Sequence, residues 1–202
     1  MNVYETLEHK GYKIQVIVDD SPSNPRDDDN LGTMVCFHSR YKLGDQNHGF
    51  NTPQEFMDFL EKNKQGIIAL PLYLYDHSGL TMSTGTFACD SAGWDTSYVG
   101  IIYITKEKAR SEYGRLTKAT VARIEGYLKS EVETYDALLT GSCYGYQILD
   151  KEGNEVEDGS CWGYYGYDHT KSGLLEAAQN VIDCEIKRVL KEEGVQEELA
   201  LA

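Results

Sequence analysis

From Gly11 to Asp20 apolar side chains fall on alternate positions, at Tyr12, Ile14, Val16 and Val18, which is the period of a strand. The pattern stops at SPSNPRDDDN, residues 21–30. Its two prolines and the run Asp27, Asp28 and Asp29 predict an exposed acidic loop. GTMVCFHSRY, residues 32–41, predicts the strand that answers the first, followed by a Gly- and Asn-rich turn to Phe50. At Thr52-Pro53-Gln54-Glu55 the period changes. A capping hydroxyl, a proline in the first turn and an acid near the positive end of the helix dipole open a helix. Phe56, Phe59 and Leu60 form its apolar stripe, and Gly66 ends it.

The central stretches GIIALPLYLYDHSG, TMSTGTFAC and SYVGIIYIT read as three strands, with Pro71 placing its strand at an edge or a bulge. The last strand passes into a short helix, Lys106 to Tyr113. Thr117 to Leu139 predicts the longest helix, with Val121, Ile124, Leu128, Val132 and Tyr135 three or four residues apart and Gly141 as its stop. CYGYQILDKEGNEVEDGSCWGYYGYD reads as a hairpin closed around Lys151 to Asn154, and Leu174 to Leu190 as a final amphipathic helix. Strands and helices in mixed order with hairpins predict an α+β fold: one domain over residues 1–202, a largely antiparallel sheet, about three main helices and a frayed tail at 192–202.

Composition narrows the function classes. A chain of 202 residues with 41% hydrophobic and 26% charged side chains is long enough for one substantial core. No apolar run reaches the length of a membrane span, and MNVYETLEHKGYK lacks the apolar core of a signal peptide, so a bacterial cytoplasm is the expected location. Five widely spread cysteines form no C-x-x-C pair and fit reduced, mostly buried thiols. Nineteen Lys and Arg against 33 Asp and Glu give a net charge of −14. That charge repels phosphate backbones, and the best basic patch, Lys106, Lys108, Arg110 and Arg115, is interleaved with Glu107 and Glu112. Direct nucleic-acid binding is therefore not expected, whereas a basic protein partner is.

Candidate chemistry is sparse. Asp76-His77-Ser78 places a triad's residue types on consecutive positions of an extended chain, where they point to alternate faces, and no G-x-S-x-G elbow occurs. Tyr-Asp-His occurs twice, at Tyr75-Asp76-His77 and Tyr167-Asp168-His169. If those strand ends meet, Asp76, His77, Asp168 and His169 with His38 would form a metal site or acid–base cluster, the basis of an alternative reading as a metal-assisted hydrolase or nuclease-like enzyme. Otherwise these residues finish strands and cap turns. Cys36 and His38 share a strand face as half a metal site or a nucleophile–base pair, or, as the residue types favour, as packed structural side chains. Arg40 is an anion contact if the strand end opens to solvent. Neither a P-loop nor a dinucleotide fingerprint is present, and no cofactor is expected.

Fifteen tyrosines are the most unusual feature of the composition. Tyr144, Tyr146, Trp162, Tyr164 and Tyr165 crowd into the C-terminal hairpin beside Asp150, Glu152, Glu155, Glu157 and Asp158. Tyrosine with acid favours a basic protein over a stacked base, which wants positive surroundings. The stretches NLGTMVCFHSRYKLGD, ALPLYLYDHSGLTMST, TKEKARSEYG, EVETYDALLTG and SCWGYYG resemble a family of small acidic proteins from bacteriophages and mobile elements of anaerobic bacteria. The family has no assigned chemistry, so the resemblance implies a setting: accessory proteins that block host defence by binding an effector, some of them acidic imitators of DNA. The expectation is a non-catalytic interaction protein that engages a basic, nucleic-acid-binding host protein through Asp27 to Asp29 and the acidic hairpin.

Overall fold

A computed structural model describes residues 2–64 and 66–192. The elements run β1 (Val3–His9), β2 (Tyr12–Val18), β3 (Thr33–Cys36), α1 (Pro53–Asn63), β4 (Ile67–Asp76), β5 (Leu80–Ser83), β6 (Thr96–Thr105), α2 (Lys106–Tyr113), α3 (Lys118–Leu139), β7 (Cys143–Leu149), β8 (Glu155–Tyr165) and α4 (Leu174–Glu192). The class is α+β and every strand pairing is antiparallel. The strands fall into two four-stranded sheets rather than one. Each sheet belongs to its own compact unit, Met1–Ser23 with Ser142–Ala202 and Asn24–Gly141. Apart from Glu192, which ends α4, the tail expected at 192–202 lies outside the described residues.

The first unit orders its sheet β1-β2-β7-β8. Val3–His9 was not anticipated as a strand. Lys10 and Gly11, both at positive φ, make the two-residue turn that folds it onto β2. The alternation in β2 sends Ile14 and Val16 to the face that α4 covers, where they meet Tyr144, Tyr146 and Ile148 of β7. From α4 come Leu174, Ala178 and Ile182, four residues apart and fully buried, so one helical stripe closes the core.

The second unit orders its sheet β3-β6-β4-β5. Helix α3 packs Ile124, Leu128, Val132 and Tyr135 on one face, against Met34, Leu72, Leu74, Ile102 and Ile104. Helix α1 sets Phe56 on the other face with Val35, Ile101 and Tyr103. Central β6 is therefore buried on both faces, which is why SYVGIIYIT reads as an unbroken apolar run. Each fully buried Ile or Leu contributes about 1.5–3 kcal/mol. A threonine caps each helix: Thr52, Thr105 and Thr117 accept from the amides of Glu55, Lys108 and Thr120 at 3.1, 3.2 and 3.2 Å. The expected strand TMSTGTFAC stops at Ser83, and Ala88–Asp90 is a short 3-10 turn. No described helix is long and apolar enough to cross a membrane.

Candidate protein-binding surface

The acidic hairpin begins with a turn that its first acid builds. Asp150 accepts from the Asn154 amide at 2.7 Å and from its side-chain nitrogen at 3.1 Å, and those bonds hold its carboxyl below the usual range. Beyond the turn the two strands fall out of step. Gln147 pairs with Ser160 and Leu149 with Glu155, so two steps along β7 match five along β8 and three extra residues bulge out. Asp158 sits in the bulge at φ 54°, a left-handed conformation that an aspartate tolerates better than most residues. Next to it Gly159 runs so close to Val156 that a Cβ would come within 2.7 Å of the Val156 carbonyl oxygen.

This bulge carries Glu157 and Asp158 onto the rim of a groove of about 390 Å³ between β8 and α4. That volume is at the small end of ligand pockets, which run from roughly 300 to 1,000 Å³. Val156, Val181 and Cys184 supply apolar lining, and Asn180, Glu185 and Arg188 complete it. Arg188 is committed, since its Nε and Nη2 donate to both Glu185 oxygens at 2.8 Å and hold that carboxyl below its usual range. Glu157 and Asp158 are exposed and have no ion-pair partner among the described residues. An apolar floor with two unpaired carboxylates at its lip suits a Lys or Arg side chain, stem down and charge outward.

The α4 residues of this groove were not anticipated. Their signal is a second stripe, Val181, Cys184, Glu185 and Arg188, running at helical spacing beside the core stripe.

Several expected contacts lie elsewhere. Tyr144 and Tyr146 are 6% and 3% exposed and belong to the core, so they leave the candidate surface. Tyr164 is half-buried against Tyr146, and burial raises its hydroxyl above the usual phenol range. Tyr165 donates its hydroxyl to the Ser23 carbonyl at 2.6 Å. Trp162 remains partly exposed, while Glu152 and Glu155 are exposed. Asp27, Asp28 and Asp29 are exposed as expected, but they belong to the second unit.

The candidate Asp and His residues divide in the same way, His38, Asp76 and His77 in the second unit and Asp168 and His169 in the first. His38 Nδ1 accepts from the Arg40 and Tyr41 amides at 3.3 Å. Asp76 is ion-paired to Arg40, and His77 Nδ1 lies 3.0 Å from Asp95 Oδ2. Asp168 caps its own turn, accepting from the Thr170 and Lys171 amides at 3.2 and 3.1 Å. His169 is buried edge-on between Tyr4 and Tyr144, with Glu5 Oε1 3.2 Å from its Nε2. Among the described residues no group of three or more His, Cys, Asp or Glu is placed to hold a metal ion. Cys36 is buried in the second unit's core, where its thiol is pushed up to about 12, far from a nucleophile's range.

The chain matches no protein-family profile, no curated protein and no solved structure. Charge adds what those comparisons do not. The first unit has 7 Lys and Arg against 17 Asp and Glu, so 7 − 17 = −10, and the second has 12 against 16, so 12 − 16 = −4. Ten of the fourteen net negative charges therefore fall in the unit that contains the bulged hairpin and α4.

Proposed function

We propose that this protein is a binding protein for a basic protein partner, and that the groove between β8 and α4 receives a Lys or Arg side chain of that partner under Glu157 and Asp158. The observation that carries the reading is the bulge of three extra residues. It spends backbone regularity to hold two unpaired carboxylates over an apolar floor, and bulges of this kind recur where a strand must re-aim a side chain. The charge of −10 on the same unit adds long-range attraction for a basic surface. Proteins that bind nucleic acids carry such surfaces, and the resemblance to acidic accessory proteins of phages and mobile elements supplies a setting in which occupying one is useful. Asp27 to Asp29 offer a further acidic contact on the second unit.

The test uses a labelled peptide alternating Arg with Leu, titrated by fluorescence anisotropy at low and high salt. Binding should weaken steeply with salt, because exposed charges are screened over about 8 Å at physiological ionic strength. The paired change Glu157→Lys and Asp158→Lys should reduce affinity at least tenfold. Equal affinity in that variant would remove the groove, and if Asp27, Asp28 and Asp29 changed to Asn lost binding instead, the loop would take its place.

A further inference from the structure

The second unit contains an incomplete sheet edge beside an apolar groove. Strand β4 pairs with β6 from Ile67 to Tyr75, whereas β5 covers only Tyr73 to Asp76 on its other side. Ile67 to Leu72 therefore have no strand neighbour on that side among the described residues.

The register shows which groups are left over. Lys106 donates its amide to the Gly66 carbonyl at 2.7 Å, next to the pair Ile67 and Thr105, so Gly66 faces β6 and Ile67 faces away. By alternation the amides and carbonyls of Ile67 and Ala69 point to the open edge, as does the Pro71 carbonyl. Pro71 agrees with that phase, because a residue without an N–H is tolerated where its nitrogen points away from the neighbouring strand. Beside this edge lies a groove of about 730 Å³ between α1 and the sheet, lined by Met57, Leu60, Ile67, Ala69 and Ile101. Met57, one of the residues lining it, is 54% exposed. Asp58, Glu61 and Lys64 stand on the rim, and neither carboxylate has an ion-pair partner among the described residues.

We infer that this edge and groove form a second docking site, which binds an extended apolar segment of a partner protein as an added strand beside β4. An added strand completes the Ile67 and Ala69 hydrogen bonds, and its alternate side chains fall on the face where Ile67 and Ala69 already line the groove. Pro71 offers no donor, so the new ladder is short and the groove must supply specificity. With two carboxylates against one lysine on the rim, the fitting segment alternates apolar residues and carries a Lys or Arg at one end. The site belongs to the second unit alone, and it does not depend on the reading given to the groove of the first.

The probe is a labelled hexapeptide alternating Val with Thr and ending in Lys, titrated into isotopically labelled protein and followed by amide chemical shifts. Shifts confined to Ile67 to Leu72 and α1 are the expected result. Ala69→Pro removes an outward donor while leaving the β6 ladder intact, and should weaken binding at least tenfold. Should that variant not fold, Met57→Asp, at an exposed position, should do the same through the groove. No binding at millimolar peptide, shifts elsewhere, or affinity unchanged in Met57→Asp would overturn the proposal. So would concentration-dependent dimerisation abolished by Ala69→Pro, which would make the edge a contact between copies of this chain.

Discussion

Arg26 donates to Asp45 through two bonds, Nε to Oδ1 at 2.6 Å and Nη2 to Oδ2 at 3.1 Å, with its own side chain only 2% exposed. Its other donors reach Glu131 Oε2 at 2.8 Å, Asn30 Oδ1 at 3.0 Å and the Gly32 carbonyl at 2.7 Å, so all five guanidinium N–H groups are used. The exposed acids Asp27 to Asp29 thus follow directly on a buried cation that ties their loop to Gly32 and Asp45, on either side of β3 in the chain, and to α3. Arg26→Met leaves Asp45 and Glu131 without their cation, and should lower stability by about 3–5 kcal/mol in urea unfolding. Arg26→Lys should recover only part of that loss, because an ammonium cannot span two carboxylates and a carbonyl in one plane. A loss below about 1 kcal/mol in Arg26→Met would show that the loop is not anchored there.

Arg26 also shows where the sequence was legible and where it was not. Within SPSNPRDDDN nothing distinguishes an anchoring arginine from a solvated one, because Asp45 and Glu131 are 19 and 105 residues away. Two helices of the second unit announced themselves through local signals, α1 by its Thr52 cap and apolar stripe and α3 by its apolar spacing, whereas the caps at Thr105 and Thr117 became visible only in the structure. The division into two sheets did not, since β2 pairs with β7 across more than 120 residues of chain. Val3–His9 escaped notice because an edge strand carrying Glu5 and Glu8 lacks clean alternation. For the candidate site, the acids of the hairpin were visible as residue types. What made two of them distinctive, a bulge that depends on the pairing register, was not. The tyrosines misled for the converse reason: Tyr144 and Tyr146 satisfy the same pattern whether their face meets solvent or α4.

Asp136 accepts the Met82 amide at 2.6 Å, yet burial raises its carboxyl above the usual range. A raised carboxyl binds its proton more tightly in the folded state than in the unfolded chain, where the value is about 3.9. Its contribution to stability therefore grows as pH falls from neutral through the raised value, and is lost as pH rises again. Asp136→Asn keeps an acceptor for Met82 and removes the buried charge. It should be at least as stable as the parent at pH 7, with the difference shrinking towards pH 4. Asp136→Ala, which leaves the buried amide unpaired, should be less stable by about 1–3 kcal/mol at either pH. Melts across this range decide the matter, and a marked loss in Asp136→Asn at pH 7 would mean the carboxylate is worth more than its desolvation.

The thiols were expected to be mostly buried, but only two of the five are. Burial pushes Cys36 up to about 12 and Cys143 up to about 11, while Cys89, Cys161 and Cys184 are exposed. Titration with an aromatic disulfide reagent at pH 7.5 should therefore show three fast thiols and two that react only on unfolding. Cys184→Ser should remove one fast equivalent, which assigns the thiol lining the first unit's groove. Five fast thiols in the native protein would contradict the packing of both cores.

Gly145 and Trp162 test the other irregularity of β8. Tyr144 pairs with Tyr164 and Tyr146 with Cys161, so β8 gains one residue here, and Gly163 takes φ 89°. That extra residue lets the Trp162 indole lie over Gly145, where a Cβ would come within 2.3 Å of Cε3 and 2.7 Å of the Cys161 carbonyl oxygen. Gly145→Ala must displace the ring, and overpacking of this kind costs about 1–3 kcal/mol. In a Trp94→Phe background, which leaves one indole, its emission should shift to the red as Trp162 moves into water. The double variant with Trp162→Ala should regain much of the lost stability, because the clash has lost its larger partner. Additive losses in that cycle would instead assign the strain to the Cys161 carbonyl, and so to the backbone of the bulge itself.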